Sequence, residues 1–231
     1  MNALYWLDNN GYPNLVPAYN PSSSGNQVDY QGVTSLISDL AGRMDTGDWP
    51  YDGTTVSGAV DGLNDYFADH GYGQALRAEY EDFQDVRNPS YRLAELGSAG
   101  RGRNLILLRL WTWKDSALGL PEHTSGHIVT LTESVGTGWY THGPHPEDHH
   151  MVRIHDSYRY LNTEVNPDEI QRDGNIDSQS RSHTAAYGLA PARRADGLSL
   201  FPDRGGVELA GFSSDPTRSV VIEGAYVIKR L

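Results

Sequence analysis

Residues 121–134 read PEHTSGHIVTLTES, with a glycine and a histidine directly ahead of an alternating run. Successive side chains of a strand point to opposite faces, so His127, Val129 and Leu131 share one side. Alternation of this kind, rich in β-branched residues, predicts a strand with one face covered. A second alternating run, HHMVRIHDS at 149–157, sets Val152, Ile154 and Asp156 in phase. If the two runs pair as an antiparallel hairpin with Glu133 facing His150, His127 comes to lie opposite Asp156.

Other strand patterns lie on both sides of this pair. NLILLRLWTW, residues 104–113, is a nearly continuous apolar run and predicts a buried strand. GVELAGF (206–212) and SVVIEGAYVIK (219–229) predict two more near the end of the chain. Upstream, the period changes to that of a helix. Val33, Leu36, Ile37, Leu40 and Met44 form one stripe, and Val56, Val60, Leu63 and Phe67 form another, with an N-cap at Thr54–Thr55 and a stop at His70–Gly71. The opening MNALYWLDNNGYPNL reads as the end of a helix without a cap ahead of it, closed by Asn10–Gly11 and Pro13. Residues 75–97 read as one or two helical turns broken at Asn88–Pro89. Helices first and strands later predict an α+β fold, a helical N-terminal part followed by an antiparallel sheet. The chain is expected to form a single domain over 1–231, with 161–205 as a long insert or loop.

Composition narrows the function. Thirty Asp and Glu against eighteen Lys and Arg give a formal charge of −12, which argues against nucleic acid and anionic membrane surfaces as partners. No run approaches the ~20 apolar residues of a membrane helix, and the N-terminus has no signal-peptide pattern. There is no cysteine, which removes disulfides, thiolate metal sites and any thiol nucleophile within these residues.

Chemistry is concentrated on His127 and Asp156. A carboxylate beside an imidazole fixes its tautomer and stabilises the imidazolium, which is what a general base needs. Taken singly, each residue also has a plain structural reading, His127 as a satisfied strand-start histidine and Asp156 as the cap of the turn before SYRYLN.

The stretches YWLDNNGYPNL, LISDLAGRM with DGTT and GLNDYFADHGY, NLILLRLW, SGHIVTLTES and RIHDSYR resemble papain-like cysteine peptidases of the bacteriocin-leader-processing type. The resemblance runs over about residues 1–160. It implies a papain-like fold and peptide-bond hydrolysis through an acyl-enzyme, with His127 as base and Asp156 as the residue that orients it. In that family a cysteine opens the first helix and an upstream glutamine helps form the oxyanion hole. Neither lies in the matching position here, so the resemblance implies an N-terminally truncated or pseudoenzyme chain with no peptidase turnover of its own. It also implies a peptide or protein substrate, no cofactor, and a secreted or envelope location if a signal peptide lies upstream.

Three other classes compete with this reading. Serine catalysis would need Ser22, Ser23, Ser24, Ser125 or Ser157 at a helix N-terminus facing His127, and none is so placed. A metal-dependent hydrolase could draw on the histidines of 123–155, but Thr124 stands where the zincin motif requires Glu, so no metal ligand is assigned. Asp173, Asn175 and Asp177 begin a calcium-loop spacing that fails at Ser178 and Thr184. A non-catalytic extracellular binding module is the third class; its aromatic groove would draw on five Trp and fourteen Tyr, although Trp111 sits in a core pattern.

Overall fold

The structure, a computed structural model, describes residues 2–16, 30–47, 53–83, 92–93, 96, 104–116, 120–139, 148–156, 183–192, 200, 206–210, 212 and 217–231. Its elements are α1 (Asn2–Asn9), α2 (Tyr30–Arg43), α3 (Val56–Asp69), β1 (Leu76–Asp82), β2 (Asn104–Asp115), β3 (Pro121–Trp139), β4 (Asp148–Asp156), β5 (His183–Pro191), β6 (Val207–Ala210) and β7 (Arg218–Arg230).

The strands follow the order β1-β7-β2-β3-β4-β5-β6, and β6 pairs again with β7, so the last six strands close into a barrel. This corrects the expected fold class. The described residues are mostly antiparallel β, with a closed six-stranded barrel and three short helices, and not an α+β papain-like fold. The expectation failed because strand patterns report which face is buried but not whether the first and last strands meet. Here closure is seen, among the described residues, in the pairs Val207–Ile222 and Glu208–Val221.

The chain divides into two compact units. One holds residues 1–80, 157–182 and 228–231, and the other holds 81–156 and 183–227. In the second unit the barrel interior is filled by alternate residues: Ile106, Leu108 and Leu110 of β2, Val129 and Leu131 of β3, and Val152 and Ile154 of β4. Tyr187, Leu189, Val207, Leu209, Val220 and Ile222 continue it around the barrel. A barrel this narrow is filled by its own side chains, so its centre is a packed core. On β7 the inward phase passes from Val220 and Ile222 to Ala225 and Val227, a slip of one residue at Glu223–Gly224.

β3 is nineteen residues long and cannot stay straight in a closed barrel. Three bulges bend it. Thr124, Thr132 and Gly136 are each an extra residue against the partner strand. At the first two the threonine hydroxyl donates to the facing strand, Thr124 to the Thr112 carbonyl and Thr132 to the Arg153 carbonyl, both at 3.0 Å. The side chain thus satisfies an acceptor at the point where the ladder slips.

In the other unit the helices form where periodicity places them. Thr55 Oγ1 caps α3 by accepting from the Gly58 N–H, and Gly71 closes it at φ 81°. Leu36 and Leu40 of α2 are buried, whereas Ile37 is 54% exposed and lies off the packed face. On α1 the buried side is Ala3, Leu4 and Leu7, and Tyr5 points outward. The helical reading of 75–97 is corrected over its first part, since Leu76–Asp82 is strand β1, whereas Arg92, Leu93 and Leu96 beyond Asn88–Pro89 are helical. Leu76 and Ala78 are buried and Arg77 is exposed, a period of two, and the Leu231 N–H donates to the Ala75 carbonyl at 2.9 Å. Pairing with β7 supplies what the local propensity of LRAEYED does not. Within the stretch read as an insert, His183–Pro191 form β5; residues 161–182 lie outside the described residues.

Candidate functional site

His127 lies on β3, as expected, and its Cα partner on β2 is Leu110, which is 1% exposed. It is in phase with the buried Val129 and Leu131, but is itself half-buried, and Ser125 two residues earlier is exposed. The inward stripe of β3 therefore emerges from the core at His127, which places the imidazole at the barrel rim.

Asp156 is the last residue of β4, and its backbone partner on β5 is His183. The hairpin of β3 and β4 is antiparallel, as expected, but its register differs. Thr130 faces His155 and Leu131 faces Ile154. The offset from the expected pairing is four positions at Thr137–His150, and the bulges at Gly136 and Thr132 reduce it to two at the His127 end. One step beyond Thr130–His155, Asp156 sits diagonally to His127 rather than opposite it. Diagonal neighbours on adjacent strands are about 7–8 Å apart, within reach of long side chains.

A second cluster is built on the outer face of the β2–β3 hairpin. Arg109, Trp111 and Trp113 alternate with the inward Leu108 and Leu110 on β2. Gly126 faces Trp111, and the added Cβ of an alanine there would sit 3.7 Å from the indole Cε2. The indole therefore lies over this position at ordinary van der Waals distance. His123 faces Trp113 just beyond the Thr124 bulge. Its imidazole stacks on Trp111 with 22° between planes and tilts against Trp113 at 5.0 Å and 39°.

Charge surrounds this stack. The Arg109 guanidinium lies 4.8 Å from the Trp111 ring and 3.5 Å from the carboxylate of Glu223, which is 8% exposed. Burial first, and then the positive Arg109, hold the His123 pKa below the ordinary histidine value. Its Nε2 and the Nε1 of Trp111 are buried with no hydrogen-bond partner among the described residues. On the far side, Trp113 packs against Ala192, Leu200 and Val221, a small apolar cluster outside the barrel.

The outer cluster was partly legible. LRLWTW shows its alternation, but it reads as core; that His123 sits between the two indoles depends on the bulge. Among the described residues no three His, Asp or Glu side chains converge as a metal site. Within the His-rich 123–155 region residues 140–147 fall outside the described residues, as do the three serines at 22–24, Ser157 and the 173–177 spacing.

No protein-family model, curated protein or solved structure matches this chain.

Proposed function

We propose that this chain carries the base and orienting carboxylate of a cysteine-peptidase-like hydrolase acting on peptide bonds, with His127 as general base and Asp156 orienting it. The observation that carries the reading is the half-buried His127 at the rim of the barrel, with Asp156 two register positions from facing it on the adjoining strand. Base and orienting group on neighbouring strands are held by the ladder rather than by a loop, which suits the sub-ångström placement that proton transfer demands. The nucleophilic thiol is not among these residues, because the sequence has no cysteine. The 231 residues alone therefore do not turn over peptides by thiol chemistry.

The test is peptide hydrolysis by two proteins, this chain alone and the full product of its gene purified from its own host. The chain alone shows no thiol-dependent turnover. The full product carries a cysteine, is inactivated by a thiol alkylator, and loses about 10²–10⁴ in rate on His127→Ala, the usual worth of a general base. A full product without cysteine, or an unchanged rate in the His127 variant, removes this reading.

A further inference from the structure

We propose that His123, held between Trp111 and Trp113, is an acid-sensitive latch that fastens the tip of the β2–β3 hairpin to the outside of the barrel. The tip is the part of the β2–β3 ladder beyond the bulge. Residues 113–115 pair with 121–123 beyond the Thr124 bulge, and Ser116 and Leu120 close the turn, with the Ser116 N–H donating to the Leu120 carbonyl at 2.8 Å. On the barrel side of the bulge, Ile106–Leu110 pair with His127–Leu131 and are held by the interior core. The tip has no share in that core. Trp113 and the imidazole stack attach it to the outer face.

Protonation acts against this attachment. It puts a positive charge in a half-buried stack, on a ring whose Nε2 is buried without a hydrogen-bond partner among the described residues. The charged groups of the described residues around it are Arg109, Lys114 and Asp115 on β2, Glu122 on β3 and Glu223 on β7. Arg109 repels the new charge, while Glu223 is engaged with Arg109, and Lys114 and Glu122 pair with each other at 3.8 Å. Two indole faces favour a cation, while burial and Arg109 oppose it and hold the His123 pKa below the ordinary histidine value. A histidine whose pKa is depressed in the closed state contributes stability that is complete above its free value of ~6.5 and is lost as pH falls through that value towards the closed-state pKa. Opening would uncover Ala192, Leu200 and Val221, so acid exposes an apolar patch on a barrel that remains folded.

Backbone amide exchange, corrected for its intrinsic pH dependence, tests the latch between pH 7.5 and 4.5, alongside an NMR titration of the His123 ring. Protection at 113–116 and 120–123 should fall by up to tenfold per pH unit, the limit for uptake of one proton. The fall should follow the His123 titration, while 106–110 and 127–131 stay protected. His123→Phe keeps a stacking ring without a titrating nitrogen and should make tip protection independent of pH. If that variant does not fold, the wild-type comparison of ring titration with tip exchange decides alone. Flat protection at the tip, loss shared equally by the barrel strands, or an undiminished acid response in His123→Phe would each overturn the proposal.

Discussion

At the scale of single residues, the glycines separate two kinds of absent side chain. A Cβ at Gly62 would meet Met44 Cγ at 2.7 Å and the Arg43 carbonyl oxygen at 2.8 Å, where α3 passes close to the end of α2. Backbone cannot step aside as a flexible side chain can. Gly62→Ala should therefore destabilise the protein by about 1–3 kcal/mol, the range for overpacking, measured by urea unfolding. Gly126→Ala makes only ordinary contact at 3.7 Å with Trp111 and should stay within about 0.5 kcal/mol of the parent. Equal effects at both sites would contradict the close approach of α2 and α3. Sequence alone does not separate these two glycines, since the difference lies in what stands across from them. His127 was legible as a residue on the inward face of a strand, from its phase with Val129 and Leu131. The register of β4 beside it was not, because the slips at Thr132 and Gly136 leave no mark on the alternation of either strand alone.

At the scale of elements, β1 shows how an exposed strand edge is managed. Its outer edge at Ala78 is bonded by one side chain of α3. Asn64 Nδ2 donates to the Ala78 carbonyl at 3.0 Å, and Asn64 Oδ1 accepts from the Ala78 N–H at 2.8 Å. The amide thus stands in for a further strand at that residue. Asn64→Leu should cost about 1–3 kcal/mol in thermal or urea unfolding, since it removes two bonds of roughly 0.5–1.5 kcal/mol each and strands a backbone pair. A variant as stable as the parent would show that water replaces the amide without loss. Asn64→Asp keeps the acceptor but sets a carboxylate oxygen against the Ala78 carbonyl, and should be worse at neutral pH than at pH 3, where the acid can donate.

The bulges are the second element-level device. Thr124→Val keeps the shape of the side chain but leaves the Thr112 carbonyl without its hydroxyl donor, and should cost about 1 kcal/mol. Elements with a long period were readable in the chain: α2, α3, β2 and β7 fall where spacing puts them. β1 and β5 were missed for different reasons. LRAEYED is too polar to announce a strand and is extended because β7 lies beside it, while HTAAYGLAP is short, rich in alanine and set in a polar stretch.

At the scale of the whole molecule, the reading turned on closure. Helices ahead of strands suggested two layers, but β6, four residues long, joins the last strand to the fifth and turns a sheet into a barrel. No local pattern in Val207–Ala210 encodes that its neighbour is β7. Closure decides which face of β3 is inside, and therefore that His127 emerges at a rim while Trp111, Trp113 and His123 form an outer stack. A chain without cysteine is well suited to testing it. Val207→Cys with Ile222→Cys introduces the only two thiols at facing positions on β6 and β7, where a disulfide needs Cα atoms about 4.4–6.8 Å apart. Oxidation of the folded double variant, followed by free-thiol quantification and mass measurement, should give complete intramolecular cross-linking with the β signal retained. Thiols that stay free in folded protein would mean that β6 and β7 do not meet, and the barrel, with the rim position assigned to His127, would have to be abandoned.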